Sequence, residues 1–129
     1  MNKPTTAAWT RSDLSRFGDT EEIDLSTRPD GSLRRFGPIW VVAVGSALYV
    51  RSYRGTSGAW YRHATEHRTG VIRIPGYQVN VAITAADQQV REQVDAAYRA
   101  KYGRYGTTYL RQMLAEQAVA TALRLDPAN

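Results

Sequence analysis

Two turn dipeptides, Gly45-Ser46 and Pro75-Gly76, each stand between two runs of β-forming residues. They constrain the chain more than anything else in it. Pro38 to Val44 and Ala47 to Ser52 flank the first; Gly70 to Ile74 and Tyr77 to Thr84 flank the second. A connection this short closes an antiparallel hairpin, because parallel strands need a long crossover. Glu22 to Thr27 alternates as a half-exposed strand, and Arg28-Pro-Asp-Gly-Ser32 after it is a strong turn signal.

Helices fill the connections. Thr10 stands as an N-cap with Asp13 at the third helical position, Trp9 can staple onto Leu14, and Gly18 ends that first helix. Ala59 to His67 reads as a second, short helix. Thr84-Ala-Ala-Asp87 caps a longer one, in which Val90, Val94 and Tyr98 recur every four residues on one face. Gly103 and Gly106 interrupt it. Beyond them Thr107 to Gln117 can be helical, while Val119, Thr121, Leu123 and Leu125 alternate like a closing strand. Residues 1–8 read as a loose tail and 9–129 as one domain. About six mostly antiparallel strands avoid exposed edges most simply by curling up. The fold class expected is therefore mainly β: a small barrel with peripheral α-helices.

Composition narrows the chemistry. At 129 residues, with 43% hydrophobic and 22% charged, the chain can bury one core unaided. Without cysteine it has no disulfide, thiolate metal site or thiol nucleophile. The polar start and the short apolar run Ile39 to Val44 predict neither a signal peptide nor a membrane span, hence a cytoplasmic protein. Six of the 12 acids lie between Asp13 and Asp30, and from Gly31 to Ala86 only Glu66 is acidic. Arginine dominates the basic residues, and its fork matches phosphate or carboxylate.

The acid-poor middle contains Arg51-Ser-Tyr-Arg-Gly-Thr-Ser-Gly-Ala-Trp-Tyr-Arg62, between a strand and a helix. Two glycines, hydroxyls and arginines at a helix N-terminus are the chemistry of an anion cradle. Arg51 and Arg54 can fork a phosphate, and Ser52, Thr56 and Ser57 can donate hydroxyls. Backbone N–H groups around Gly55 and Gly58 can approach it closely. The bland reading is a polar junction of the kind any strand-to-helix connection carries. Neither a Walker lysine nor GxGxxG spacing is present, so nucleotide hydrolysis and Rossmann binding fit poorly. Trp40, Trp60 and Tyr61 could stack on a flat ring, but Trp40 sits inside a strand and reads rather as core, while Trp60 suits a core anchor and a pocket wall equally.

Other constellations are weaker. His63 and His67 share a helix face with Glu66 between them, but no third ligand stands near, and no metal is expected. Glu21, Glu22 and Asp24 read as a solvated strand edge. Tyr98, Tyr102, Tyr105 and Tyr109 interleave with Arg99, Lys101 and Arg104, which suits either a packed helix or a single-strand nucleic-acid binder. No recognised nucleic-acid motif accompanies that charge, so this reading ranks last.

Taken in order, Trp9-Thr, Arg28-Pro-Asp-Gly-Ser-Leu-Arg34, Ile39-Trp-Val-Val, Leu48-Tyr-Val-Arg-Ser52, Gly58-Ala-Trp-Tyr-Arg62 and Ala97-Tyr-Arg-Ala-Lys-Tyr-Gly-Arg104 resemble the bacterial family catalogued as domain of unknown function 2255. More distantly, a turn ending in arginine, paired strands and Ser-x-x-Gly-x-x-Gly-Ala-Trp-Tyr resemble deazaflavin-dependent nitroreductases of the FMN-binding split-barrel superfamily. That resemblance implies a split barrel binding FMN or a deazaflavin. Arg34, Ser52, Arg54, Gly55, Gly58 and Ala59 would lie around the cofactor phosphates, and Trp60 would anchor the helix. It also implies a homodimer. The function expected is a flavin- or deazaflavin-dependent oxidoreductase with Tyr102 or Tyr105 as proton donor. The alternative is a non-catalytic module binding another anionic small molecule.

Overall fold

Seven strands form one antiparallel sheet in the spatial order Gly37–Ile39, Ile23–Ser26, Thr69–Ile74, Tyr77–Ala85, Leu123–Pro127, Ala47–Val50, Val42–Val44. The structure is a computed structural model that describes residues 8–27 and 36–128. The elements are α1 (Arg11–Gly18), β1 (Ile23–Ser26), β2 (Gly37–Ile39), β3 (Val42–Val44), β4 (Ala47–Val50), α2 (Ala59–His67), β5 (Thr69–Ile74), β6 (Tyr77–Ala85), α3 (Arg91–Tyr102), α4 (Thr107–Leu114), α5 (Glu116–Val119) and β7 (Leu123–Pro127). Short 3-10 turns cover Gly55–Ser57, Gln88–Val90 and Gly103–Tyr105.

The expected strand from Pro38 to Val44 is in fact two. β2 pairs with β1 and β3 pairs with β4, so they lie at opposite edges of the sheet, joined only by Trp40 and Val41. Three Cα steps span at most about 11 Å, whereas the edges of a flat seven-stranded sheet stand about 28 Å apart. The sheet must therefore curl until its edges nearly meet. The result is a half-barrel with a slit, and Trp40-Val41 bridges the slit.

Both hairpins form as the sequence predicts. Val44 pairs with Ala47 and Ile74 with Tyr77, and Gly45 and Gly76 take φ of 60° and 78°, which a side chain would oppose. Thr10 caps α1 by accepting from Asp13 N–H at 3.1 Å. The tail is helix first and then strand: Val119 ends α5 and Thr121 lies in the turn after it, so the expected strand begins only at Leu123, where β7 closes the sheet between β6 and β4.

Ile23, Leu25, Leu48, Val50, Ile72, Val81, Ile83, Leu123 and Leu125 alternate inward and meet Trp9 and Phe17 of the N-terminal segment in the barrel core. Trp9 Nε1–H donates to Leu125 C=O at 2.8 Å, which fixes that segment over β7. On the outer face, Val42, Ala47 and Tyr49 are covered by Val94, Tyr98 and Tyr102 of α3 and by Met113 of α4. All four β4 residues are thus buried, two on each side. No helix of the described residues is long and apolar enough to cross a membrane.

Candidate functional site

A cavity of about 600 Å³ opens at the slit. Glu21 and Glu22 line it from the approach to β1, Pro38, Ile39 and Trp40 from β2 and the bridge, and Arg51 and Tyr53 from the end of β4. Trp60 of α2, Tyr105, and Tyr109, Gln112 and Met113 of α4 complete the wall. Tyr53, Tyr105 and Tyr109 remain 46%, 37% and 63% exposed. Rings left in water around a concave space are what a small-molecule site presents.

The back of the cavity is held by the end of α3. Trp40 stacks on Tyr102 with ring centroids 3.9 Å apart and planes 2° from parallel. Tyr102 is buried. Its hydroxyl accepts from Val41 N–H at 3.0 Å and donates to Glu21 C=O at 2.8 Å, and Lys101 Nζ donates to Val41 C=O at 2.6 Å. Burial pushes the Tyr102 phenol well above its usual value and pulls the Lys101 ammonium down to about 8, partly opposed by Asp19. α3 therefore pins the slit through the bridge backbone.

Tyr102 and Tyr105, both expected as proton donors, part company here. Gly103 and Gly106 break the helix, so the four tyrosines do not share a face. Tyr98 and Tyr102 go into the core, while Tyr105 and Tyr109 come round to the cavity.

Arg51 does not lie on the surface of a loop. It is 1% exposed and runs inward from the end of β4. Nη1 meets Asp95 Oδ1 of α3 at 2.7 Å and donates to Met113 C=O at 3.0 Å, and the guanidinium carbon lies 5.2 Å from the centre of the Tyr98 ring. Nε and Nη2 have no partner among the described residues. A buried donor left unmatched costs about 1–3 kcal/mol. The buried Tyr98 hydroxyl beside it has no well-formed hydrogen bond among the described residues, and burial raises its pKa strongly against the opposing pull of Arg51.

The cradle itself is tightly folded. Ser52 Oγ donates to Gly55 C=O at 2.9 Å, Ser57 Oγ to Arg54 C=O at 2.8 Å, and Ser52 N–H to Thr121 Oγ1 at 2.8 Å. Gly55 N–H and Gly58 N–H donate to Ser52 and Gly55 carbonyls at 3.0 and 3.4 Å. These donors build the turn. Arg54 and Thr56 stay exposed beside the first turn of α2, where Ala59 and Trp60 begin the helix and Gly58 supplies no capping side chain. Arg34 lies outside the described residues. His63 and His67 have ring centroids 6.3 Å apart, and no group of three metal-binding side chains occurs among the described residues.

Sequence reasoning missed Tyr53, Gln112, Met113 and Asp95, and read Glu21 and Glu22 only as a solvated edge. The one available signal was Tyr53, an aromatic between Arg51 and Arg54 in a polar loop. The others reach the site through chain reversals that no local pattern marks.

Residues 13–125 match the family described as uncharacterized proteins conserved in bacteria, domain of unknown function 2255. The chain belongs to that family. It matches no curated protein by sequence. Among solved structures, the chain is similar to a NimC/NimA family protein from Clostridium acetobutylicum, with 15% identity and a TM-score of 0.56 over 92% of this chain and 78% of that one. A FAD-binding protein from Mesorhizobium loti is similar at 10% identity and a TM-score of 0.54, covering 96% and 93%. A FAD and haem binding protein from Mycobacterium smegmatis is similar at 19% and 0.51, covering 98% and 68%. At these identities the likeness establishes the family's fold, a split-barrel-like curled antiparallel sheet with helices.

Proposed function

We propose that the chain is a flavin- or deazaflavin-binding oxidoreductase whose cofactor ring occupies the slit cavity. The observation that carries this reading is the convergence of five aromatic side chains, Trp40, Tyr53, Trp60, Tyr105 and Tyr109, on one cavity with a buried arginine. Two proteins that share the fold are described as binding FAD.

The residues fit such a group. Flat faces for a ring come from Trp40, Trp60 and Tyr105, and the cavity lies within the range of about 300–1,000 Å³ usual for small-molecule sites. Arg54, Thr56 and the first-turn amides of α2 offer donors to a phosphate. When bound, a flavin or deazaflavin supplies hydride chemistry that none of these side chains has. The protein positions the ring and excludes water. Tyr105, which lines the cavity, would hold a proton there, while the Tyr102 hydroxyl donates to Glu21 C=O and its ring steadies Trp40 from behind.

Titrating the purified protein with FMN and with a deazaflavin tests the reading. Saturable spectral change with quenching of tryptophan emission at micromolar concentration is the expected result, and no response to either cofactor sinks it.

A second reading is a non-catalytic module for a phosphorylated or other anionic small molecule. It is favoured by the inward hydrogen bonding of Tyr102, Ser52 and Ser57, which leaves few free proton donors. Thermal stabilisation by phosphorylated metabolites and none by flavins would select it.

A further inference from the structure

Arg51 meets the cavity with its charge already balanced. Asp95 Oδ1 forms an ion pair with Nη1 at 2.7 Å, and Met113 C=O accepts a hydrogen bond from the same nitrogen. Nε–H and Nη2–H project from the same side of the planar guanidinium and so make a two-pronged donor edge. Both are buried and without a partner among the described residues, although Arg51 belongs to the cavity wall. Unmatched buried donors are rare in folded proteins, and each has a reason.

The local charge restricts what can match this edge. Asp95 neutralises the guanidinium, and Glu21 and Glu22 on the same cavity add negative charge without an added cation from the described lining. A phosphate monoester, carrying about 1.5 to 2 negative charges at neutral pH, meets no net attraction there. Two adjacent acceptors on a flat ring satisfy both donors at far lower charge. The neighbouring faces of Trp40, Trp60 and Tyr105 suit the ring that carries them.

We propose that Arg51 determines the specificity of this cavity. Its Nε–Nη2 edge takes two adjacent hydrogen-bond acceptors on a planar ring bearing at most one negative charge, and it discriminates against phosphate. A ring carboxylate and the carbonyl–nitrogen edge of a heterocycle share this chemistry. Met113 lies on the same wall, and its flexible side chain can turn aside to admit the ring edge. The inference deepens the cofactor reading by placing Arg51 at the ring end of the ligand, away from its phosphate, but it rests on the cavity alone.

Three probes separate the alternatives: lumiflavin, which is a flavin ring without a phosphate, FMN, and benzoate. Each is titrated into the wild-type chain, Arg51→Lys and Asp95→Asn, with thermal unfolding as the fold control. Arg51→Lys should weaken lumiflavin and FMN by the same factor, about tenfold or more, because a bidentate edge becomes a point donor. Asp95→Asn should strengthen benzoate several-fold more than lumiflavin, since it unmasks the guanidinium charge, and inorganic phosphate should compete with neither in the wild-type chain. Loss of FMN affinity with lumiflavin unchanged would make Arg51 a phosphate ligand and overturn the inference. If Arg51→Lys fails to fold, the Asp95→Asn preference and the phosphate competition decide alone. If neither flavin binds the wild type, the cofactor reading falls by itself, while benzoate binding that depends on Arg51 keeps this one. Absence of binding by all three probes overturns both.

Discussion

The Tyr102 hydroxyl accepts the Val41 N–H at 3.0 Å, so the end of α3 holds the two-residue bridge on which the barrel's two sheet edges meet. Without that bond a buried backbone donor in the middle of the slit has lost its partner. The same ring supports Trp40, which forms part of the cavity wall. Stability and site geometry therefore depend on one phenol.

Tyr102→Phe tests this bond. The ring and its stacking survive, but Val41 N–H and Glu21 C=O lose a common partner. Urea unfolding should show a loss of about 1–3 kcal/mol. An unchanged midpoint would mean that water replaces the hydroxyl at no cost.

Gly70→Ala should be comparably damaging for a different reason. A Cβ at this position would lie 2.7 Å from Ser26 C=O and 3.3 Å from Ile83 Cδ1. The carbonyl belongs to the paired strand β1 and cannot swing away. Displacing it should cost about 1–3 kcal/mol, read as a lower midpoint in thermal or urea unfolding.

Stability should rise with pH just above neutrality. The Lys101 ammonium is held at about 8 in the fold against an ordinary 10.5, mainly by burial. Below about 8 the amine is charged in both states and folding carries the cost of burying it. Between about 8 and 10.5 the unfolded chain binds more protons, so stability climbs. Above 10 the buried Tyr98 and Tyr102 act in the opposite direction: their phenols stay protonated in the fold while those of the unfolded chain ionise, so stability falls again. Urea midpoints at pH 7, 9 and 11 should pass through a maximum. Lys101→Met should abolish the rising limb and leave the falling one.

Tyr105 is the test of the aromatic wall. It sits with its ring centroid 6.0 Å from that of Trp40, and its hydroxyl accepts from Arg104 at 3.2 Å. Tyr105→Phe should retain FMN or deazaflavin affinity, whereas Tyr105→Ala should lose up to about tenfold, the upper range of an aromatic contact. Turnover lost in Tyr105→Phe with binding intact would assign its hydroxyl a proton-transfer role.

Much of the fold was legible because its signals are local. The Thr10 cap, the two hairpin turns, the helix beginning at Ala59 and the inward alternation of Leu123 and Leu125 each depend on residues a few places apart. The split of Pro38 to Val44 was not legible, since its two halves differ only in their distant partners, β1 and β4. At the site, Arg51 and Trp60 stood out by residue type. The burial of Arg51 did not, because an arginine end of a strand reads as exposed until Asp95 is known to face it.

The sequence by itself thus determined the elements, the antiparallel hairpins and an arginine-rich stretch beside aromatic residues, all of them consequences of backbone geometry and side-chain periodicity over short spans. Only the tertiary structure decided that β2 and β3 close the sheet from opposite edges, that α4 returns Tyr109 and Met113 to the slit, and that Asp95 balances Arg51. Those pairings depend on which distant surfaces bury one another, and the free energy of that burial belongs to the assembled core rather than to any one segment.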